Sequence, residues 1–330
     1  MSNLFYIFLI FLLICNTLIC LKANDIAVFF KIIDYPNNKK KIHSKPTPLI
    51  GGLIFFLNII LFIFFEIFLG SNLVIGSELL HDLRFISVKQ ITALLMSFFA
   101  VYLVSFYDDV YDMRPFRKIL LYSLILYILI ISNPNIPIKQ LQFYNLEYNI
   151  NFDSFSIYLT LFCVLAFMNA ANMFDGVNLQ SSVLYSSFLL IFFSYMNYKG
   201  KIFIGNNGSY FLSFLASIII ITDHNWNKNY FVEEIFLYMM LPGIDMIRMF
   251  FVRLINNKSP FQGDNNHIHH LLIKKFNYKT FIIIIFLMIY MPIILYNFYK
   301  VNPLTLIIFL LLTYLIILFF CLKKAKNLNN

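Results

Sequence analysis

The sequence has few charged residues. Only 12% of its 330 residues are Asp, Glu, Lys or Arg, whereas 60% are hydrophobic and 19% aromatic, and the mean hydropathy is +0.77. This composition excludes a soluble globular domain, in which charged residues make up about a quarter. Apolar runs of about 17–25 residues recur along the chain, which is the length that crosses a bilayer. The sequence therefore predicts one integral-membrane domain, residues 1–330, built as an all-α polytopic bundle.

Cysteine is also scarce, with residues 15, 20, 163 and 321 as its four positions, all within or at the ends of apolar segments. The absence of any Cys-x-x-Cys pair argues against a zinc site or a disulfide framework. The first 22 residues lack a basic start and a small-residue cleavage site, so they are interpreted as a retained first span. No Arg-rich arm is present, and no nucleic-acid partner is expected despite the net charge of +9.

The basic residues lie in a few loops and predict the topology. Residues 39–45 form the most basic loop, which places that loop in the cytoplasm and the N-terminus outside. The basic residues at 323–326 place the C-terminus inside. Ten apolar segments that each crossed the membrane would place both termini on the same side. The predicted opposite sides therefore require residues 179–203 to return to the side of the membrane from which they enter. The expected architecture is therefore a bundle of about 10–11 spans in the cell inner (plasma) membrane.

A carboxylate motif follows one of the apolar runs: Asp108, Asp109 and Asp112, shortly before Lys118. Offsets of three and four residues predict that the three carboxylates share one helical face. Clustered carboxylates are hard oxygen ligands, which suit Mg²⁺ or Mn²⁺ holding a phosphate. A solvated acidic helix end is the alternative interpretation, and the motif by itself leaves both open.

A second polar motif comprises Asn169, Asn172 and Asp175, spaced by three residues and followed by a glycine. Two amides and a carboxylate on one face can hold a nucleotide or a metal-bound phosphate, although the same residues also cap helices. Farther along, Gly205–Ser209 opens a helix with a Gly-rich turn that contains Asn206. Free backbone N–H groups at such a turn can bind an anion, but an ordinary turn has the same composition.

Three of the six histidines lie within residues 267–270: His267, His269 and His270. Asp245, Arg248 and Arg253 precede them. The spacing predicts that His267 and His270 share a helical face while His269 points elsewhere. A metal site, a set of donors to phosphate and sugar oxygens, and proton chemistry are the three competing interpretations.

If residues 179–203 return as proposed, these groups converge on the cytoplasmic face together with Lys45 from the basic loop. Carboxylates, amides, histidines and cations in one place predict a site for an anionic, metal-bound ligand at a membrane surface. A transporter would instead place its ionisable groups near the bilayer midplane, whereas here they fall at the ends of spans.

These motifs, in this order, resemble the polyprenyl-phosphate N-acetylhexosamine-1-phosphate transferases of glycosyltransferase family 4. The resemblance extends from Asp34 to about His270. It includes the Asp-Asp-x-x-Asp motif at residue 108, the Asn-x-x-Asn-x-x-Asp-Gly motif at residue 169, and the Ser-Pro-Phe and His-Ile-His-His segments of the final loop. The final loop favours the WecA/TagO-like branch over the related MraY branch, which handles the muramyl-pentapeptide precursor.

The resemblance implies an enzyme that transfers a sugar-1-phosphate, by default GlcNAc-1-phosphate, from a UDP-sugar to undecaprenyl phosphate and releases UMP. It implies a cytoplasmic active site, a Mg²⁺ or Mn²⁺ cofactor, and the start of cell-surface polysaccharide synthesis. Its partners would be undecaprenyl phosphate, the UDP-sugar and the lipid bilayer, and a homodimer is left open. The implied catalytic residues are Asp108, Asp109, Asp112, His267, His269 and His270; the implied substrate-binding residues are Lys45, Lys118, Asn169, Asn172 and Arg253; the implied metal ligands are Asp175 and Asn206.

Two departures from the family pattern lead to an alternative function. Asn206 stands where the family has an aspartate that ligates the metal, and a neutral amide is a weaker Mg²⁺ ligand. The segment between Asp175 and Gly205 is also shorter than the family's two full spans. The alternative is therefore a non-catalytic membrane relative with the same fold.

Overall fold

A computed structural model describes residues 3–36, 45–69, 87–144, 149–175, 191–226, 231–260 and 266–326. Most of the basic loop, Gly176 and residues 179–190 of the predicted returning segment lie outside these ranges. The helices are α1 (Asn3–Leu21), α2 (Ala23–Phe30), α3 (Gly51–Leu69), α4 (Val88–Tyr111), α5 (Pro115–Ser132), α6 (Ser156–Phe174), α7 (Ile191–Tyr198), α8 (Gly205–Trp226), α9 (Val232–Ile255), α10 (Ile268–Lys275), α11 (Tyr278–Tyr299) and α12 (Pro303–Lys326). Two short antiparallel pairs accompany them, β1 (Ile33–Asp34) with β2 (Thr47–Pro48) and β3 (Gln140–Leu141) with β4 (Ile150–Asn151).

The predicted all-α membrane bundle is confirmed. Six helices of the described chain are long and apolar enough to cross a membrane: α4, α5, α6 with the short turn before it, α9, α11 and α12. Helices α1 and α2 form a seventh candidate that is bent by 70°. The predicted 10–11 spans exceed this number within the described ranges. The described part of α7 covers eight residues, and polar residues at both ends of α8 dilute its apolar centre.

The chain divides into two compact units. Met1–Pro134 and Tyr185–Leu215 form the first unit; Asn135–Leu184 and Ala216–Asn330 form the second. Aromatic side chains fill the core of the first unit, where Phe56 stacks on Tyr102 with ring centroids 3.9 Å apart. Asn16 of α1 and Asn58 of α3 exchange side-chain hydrogen bonds of 3.1 and 2.7 Å. Such pairing satisfies polar amides that would otherwise lie in an apolar environment.

Glycines allow the start of α3 to contact the start of α8 in the first unit. The backbone N–H groups of Gly51 and Gly52 donate to the carbonyls of Phe203 and Ile204, each at 3.0 Å. A Cβ atom on Gly52 would lie 1.9 Å from Asn207 Oδ1 and 2.3 Å from the Gly208 nitrogen. Only glycine fits this approach, because an added Cβ atom would clash with the start of α8.

Helices α4 and α5 form an antiparallel hairpin in the same unit. Ser87 and Gln90 form a capping box at the start of α4, and Pro115 occupies the first turn of α5, where its missing N–H has no cost. Between the helices, Ser105 and Tyr122 share a buried hydrogen bond of 2.9 Å. This contact lies about one turn deeper than the carboxylate motif and fixes the register of the two helices.

In the second unit, α9 packs against α6, α11 and α12. Its core includes Phe174, Met240, Leu272, Phe281 and Tyr314. At the other end of α9, the Glu233 carboxylate accepts a hydrogen bond from the backbone N–H of Tyr144 at 2.9 Å. The Asn225 side chain donates to the carbonyls of residues 135, 136 and 137. These bonds anchor the loop before α6 to the end of α8 and to the start of α9, which is distant from the histidines.

Candidate active site

The best-defined carboxylate of the first unit is Asp108, in the last turn of α4. It is 1% exposed, and its Oδ2 lies 2.6 Å from Nζ of Lys118. Its Oδ1 accepts a hydrogen bond from the backbone N–H of Met113 at 2.9 Å. The chain reverses between α4 and α5, so a lysine in the first turn of α5 reaches the carboxylate. The resulting ion pair is buried on the acid side and 15% exposed at the lysine side chain.

Asp109 is directed to a different element. Its Oδ1 accepts the backbone N–H of Asn206 and its Oδ2 accepts that of Asn207, both at 2.9 Å. These amides open α8, where helix N-terminal N–H groups lack partners within the helix and the helix dipole favours an anion. Gly205 has φ +77°, and a Cβ atom there would lie 2.8 Å from Asp109 Oδ2. Of the two interpretations that the sequence left open for the Gly-rich turn, the structure favours anion binding, and the anion is a side chain of the protein.

Asp112 does not share a helical face with the other two acids. It is the C-cap of α4 in the left-handed conformation, with φ 50° and ψ 70°, and its side chain is exposed. The prediction from spacing was wrong here because it assumed that the helix continues through residue 112. The three carboxylates therefore have different partners: Asp108 contacts Lys118, Asp109 contacts the N-terminus of α8, and Asp112 is exposed to solvent.

The second motif ends α6 in the second unit. Asn169 donates from Nδ2 to the Leu165 carbonyl at 2.7 Å, and Asp175 is the C-cap of the helix. Asn169, Asn172 and Asp175 are all partly exposed. Asn169 and Asn172 thus lie within the helix, Asp175 ends it, and the common face of all three stays a prediction. A helix C-terminus carries partial negative charge, so a cation is favoured beside Asp175.

Asp245 of α9 organises the second cluster of the unit. Its Oδ1 accepts Arg248 Nη2 at 2.8 Å, Tyr314 Oη at 2.8 Å and the backbone N–H of Ile268 at 3.1 Å. Its Oδ2 accepts His267 Nδ1 at 2.7 Å. A carboxylate that is 2% exposed is stable as an anion in this position because charged and neutral donors surround it.

His267 is held at both ring nitrogens. Because Nδ1–H donates to Asp245, Nε2 is the acceptor for Arg253 Nη2, 3.3 Å away. Arg253 also donates from Nη1 to the Pro260 carbonyl at 2.6 Å, and Arg248 donates to the Asn266 carbonyl at 2.6 Å. The two arginines thus fix both described ends of the final loop.

The three histidines have different environments. His267 is the N-cap residue that precedes α10, so the predicted common face with His270 was wrong. Its ring instead lies parallel to that of His269, with centroids 5.5 Å apart. His269 is fully buried and contacts Phe174 edge-on. Burial holds the pKa of His269 well below its usual range, and the neighbouring His270 and His267 lower it further. His270 is the partly exposed member.

Each unit brings some of the predicted site residues together. In the first unit, Asp108 meets Lys118 and Asp109 meets Asn206. In the second unit, the contact between Phe174 and His269 joins the end of the amide motif to the histidine cluster. The Lys45 side chain is exposed, and the Lys45 carbonyl accepts a hydrogen bond from Thr47 at 3.1 Å. Convergence of all these groups on the cytoplasmic face stays a prediction.

The donors present fit only one kind of divalent-metal site. Among the described residues, no group of three or more His, Cys, Asp or Glu side chains is arranged to hold a metal ion. Mg²⁺ commonly takes one or two carboxylates and completes its shell with substrate phosphates and water. Asp175 fits such a shared site because it is partly exposed at a helix C-terminus. Asn206 offers only a neutral amide oxygen, which is a weaker ligand.

One site residue could not be found from the sequence. Asp245 and Arg248 were visible as charges near the end of a span, although neither was assigned a role. Tyr314 lies 69 residues beyond Asp245 in an uninterrupted apolar run. A single tyrosine in such a run carries no signal, and only the packing of α12 against α9 shows its contact.

Comparison with known proteins shows a similarity to one family of transferases. The family model described as "Glycosyl transferase family 4" matches residues 91–198, which include Asp108, Asp109, Lys118 and the Asn169 motif. An undecaprenyl-phosphate alpha-N-acetylglucosaminyl 1-phosphate transferase from Salmonella typhi is 22% identical over 298 residues, covering 81% of this chain and 76% of the relative. These similarities support a relationship to glycosyl transferase family 4, at low identity. It is a multi-pass membrane enzyme of the sugar-1-phosphate transferase class.

Other relatives of this transferase carry similar names. A protein from Pasteurella multocida (strain Pm70) with the same name as the Salmonella relative is 25% identical over 276 residues, covering 74% of this chain and 71% of the relative. A probable undecaprenyl-phosphate N-acetylglucosaminyl 1-phosphate transferase from Bacillus subtilis (strain 168) is 23% identical over 276 residues, covering 75% and 71%. The similarity therefore extends well beyond the residues that the family model matches.

Proposed function

We propose that this enzyme transfers N-acetylglucosamine-1-phosphate from UDP-N-acetylglucosamine to undecaprenyl phosphate and releases UMP. Relatives named for transfer to undecaprenyl phosphate support the acceptor and the sugar. The product would start synthesis of a cell-surface polysaccharide of the O-antigen or teichoic-acid type. The reaction would take place at the cytoplasmic face of the inner membrane, with the N-terminus outside and the C-terminus inside.

The proposed reaction exchanges one phosphoanhydride bond for another. An oxygen of the lipid phosphate forms a bond to the phosphorus that carries the sugar, and the bond from that phosphorus to the bridging oxygen breaks. The bridging oxygen and its electron pair leave with UMP, so the total charge and the number of protons are unchanged. The main barrier is the approach of two anions, which positioned cations and hydrogen-bond donors lower.

The observation that carries this proposal is the pair formed by Asp108 and Lys118. A lysine that is partly exposed at the end of a membrane-spanning helix can bind the phosphate of a lipid whose tail lies in the bilayer. Asp108, 2.6 Å from the ammonium, holds the lysine in place and neutralises it until the substrate arrives. The carboxylate can also accept a proton from a monoprotonated lipid phosphate, which would make the phosphate a better nucleophile.

The second unit supplies groups that suit the nucleotide sugar. Asn169 and Asn172 can donate to phosphate or sugar oxygens, and His270 is the histidine whose ring is accessible. Asp175 would hold a divalent ion, Mg²⁺ or Mn²⁺, which when bound supplies positive charge to the diphosphate. Arg253 and His267 bind each other and the final loop, so we assign them to positioning that loop. Lys45 would add positive charge that attracts the UDP-sugar.

The test is UMP release by the detergent-purified protein with undecaprenyl phosphate, Mg²⁺ and a panel of UDP-sugars. Asp108→Asn should lower turnover at least 100-fold, because general acid–base and positioning roles of one side chain contribute about 10²–10⁴-fold. Asp153→Asn is the matched control: Asp153 is an exposed carboxylate before α6 with φ 34°, a conformation that asparagine tolerates.

The panel and the control separate the outcomes. Turnover that Asp108→Asn abolishes and Asp153→Asn preserves would support the transfer, and the most active UDP-sugar would identify the donor. Equal activity of Asp108→Asn and native protein would refute the role of Asp108. The absence of UMP release with every sugar, from native protein that is folded and metal-loaded, would favour a non-catalytic relative.

A further inference from the structure

The last helix of the chain reaches the histidine cluster through one side chain. Tyr314 of α12 is 1% exposed. Its hydroxyl donates to Asp245 Oδ1 at 2.8 Å and accepts from Arg248 Nε at 2.8 Å. This single hydroxyl therefore contacts both the Asp245 carboxylate and the Arg248 guanidinium, which also bind each other directly. Helix α12 lies outside the residues that the family model matches.

The orientation of the Asp245 carboxylate determines two features of the cluster. Through Oδ2 it receives Nδ1–H of His267 and so selects the ring form whose Nε2 accepts from Arg253. Through Oδ1 it accepts the N–H of Ile268, the first residue of α10. Rotation of this carboxylate would release the His267 ring and the start of the helix that carries His269 and His270.

We propose that Tyr314 is a positioning residue for the histidine cluster. Its hydroxyl orients Asp245 and Arg248, and these orient His267 and the start of α10. The contribution of Tyr314 to catalysis rests on the proposed sugar-1-phosphate transfer. Its effect on the His267 ring does not, since that effect follows from the contacts within the second unit.

The geometry indicates why the hydroxyl is needed. Without it, Arg248 Nε would retain only its 3.2 Å contact with Asp245 Oδ1, a long hydrogen bond compared with the 2.8 Å contact from Nη2. A planar guanidinium binds a carboxylate best when both of its donors are well placed. Loss of the tyrosine hydroxyl would therefore let the arginine and the carboxylate turn relative to each other.

Packing alone is the alternative role for Tyr314, because its ring belongs to the apolar core formed by α9, α11 and α12. Tyr314→Phe separates the two roles, since it keeps the ring and removes only the hydroxyl. The matched control is Thr313→Val, which removes the neighbouring hydroxyl on the same helix. That hydroxyl donates to the Phe309 carbonyl of its own helix at 2.8 Å.

The experiment combines kinetics with nitrogen-15 NMR of histidine-labelled, full-length protein in detergent. For Tyr314→Phe we expect a kcat about tenfold lower, as for loss of a hydrogen bond to a charged group, with KM for the UDP-sugar within about twofold. In the native protein the His267 ring should show a protonated Nδ1 and an unprotonated Nε2. In Tyr314→Phe the two His267 signals should shift toward a mixture of ring forms, whereas Thr313→Val should match the native protein in both measurements.

Asp245→Asn provides a second variant whose effect should exceed that of Tyr314→Phe, because it removes the charge on which all the donors converge. A Tyr314→Phe protein with native kcat and native His267 signals would overturn the proposal and leave Tyr314 a packing residue. A native protein that transfers no sugar would refute the proposed function, whereas the His267 signals would still decide whether Tyr314 positions the cluster.

Discussion

The carboxylate of Asp109 accepts a hydrogen bond from the backbone N–H of Asn206, 97 residues later in the chain, at 2.9 Å. Its second oxygen accepts the next amide of α8. The N-terminus of α8 has the geometry expected of a phosphate site, and an acid of the protein already fills it. Of the two adjacent aspartates, Asp108 pairs with a cation and Asp109 joins α4 to α8.

The first prediction concerns the stability of this link. Asp109→Ala should lower the free energy of unfolding by about 1–2 kcal/mol, because it leaves two helix N-terminal amides without their anionic acceptor. Thermal unfolding of the purified protein in detergent measures the change.

Asp112→Asn is the control for the loss of a nearby negative charge. Asp112 is exposed in a left-handed conformation that asparagine also adopts, so its thermal unfolding should match that of the native protein. Equal destabilisation by Asp109→Ala and Asp112→Asn would mean that the contacts of Asp109 with α8 contribute nothing specific.

The second prediction concerns the contact of α3 with α8. Gly52→Ala should destabilise the protein by about 2 kcal/mol or more, because the added methyl group would meet Asn207 Oδ1 at 1.9 Å and backbone nitrogen at 2.3 Å. The backbone atoms cannot move without breaking the hydrogen bonds of Gly51 and Gly52 to residues 203 and 204. Lower expression and a lower unfolding temperature in detergent would report the effect.

Gly243→Ala is the matched control for glycine replacement. Gly243 lies inside α9, and among the described residues a Cβ atom there has no neighbour within 4 Å. Alanine is the better helix former, so this variant should be about 0.5–1 kcal/mol more stable than the native protein. If both alanine variants unfolded at the same temperature as the native protein, the close contact between Gly52 and the start of α8 would be refuted.

The third prediction concerns pH. Burial depresses the pKa of His269 in the folded protein, whereas in the unfolded chain its pKa is about 6.5. Below pH 6.5 the unfolded state binds a proton that the folded state does not, so stability should fall as the pH falls, by up to about 1.4 kcal/mol per pH unit. Unfolding temperatures measured from pH 7.5 to pH 5 should show this decline.

His269→Gln removes the titrating group and should flatten the decline, whatever constant offset the substitution adds. His270→Gln retains the buried ring and should keep the native pH dependence. An unchanged slope in His269→Gln would assign the acid sensitivity to other groups.

Much of the fold follows from composition and spacing. Long apolar runs predicted the membrane helices, which the structure confirms. The number of spans was harder to predict, because an apolar run can be interrupted, as between α1 and α2, which are bent by 70°. Hydropathy indicates whether a segment lies in lipid or in water. The length of a helix depends instead on its contacts with neighbouring elements.

Spacing identified the polar motifs of the candidate site but not the direction of each side chain. The rule of three and four residues assumes an uninterrupted helix, and both Asp112 and His267 lie at helix boundaries, where that rule fails. Long-range partners such as Asn206 for Asp109 and Tyr314 for Asp245 depend on the packing of distant helices. Residue order carries no local signal for such contacts.

The last prediction concerns the amide that replaces a family aspartate. The backbone N–H of residue 206 binds Asp109, so Asn206→Asp would add a second negative charge close to the Asp109 carboxylate. A divalent cation offsets that repulsion and prefers carboxylate to amide oxygen. Asn206→Asp should therefore lower the Mg²⁺ concentration needed for half-maximal UMP release, by about fivefold or more, which corresponds to about 1 kcal/mol.

The same substitution should make the protein less stable without Mg²⁺ and restore its stability when the ion is added, which thermal unfolding with and without a chelator measures. Asn197→Asp is the control, because Asn197 is a buried amide in α7 that donates to the Ile202 carbonyl at 2.8 Å and is not a candidate metal ligand. Its destabilisation should not respond to Mg²⁺. If Asn206→Asp required more Mg²⁺ than the native protein, or if both variants were rescued equally by the ion, residue 206 would not belong to the metal site. Rescue confined to Asn206→Asp would support residue 206 as a metal ligand, because a cation beside the new carboxylate offsets its repulsion from Asp109.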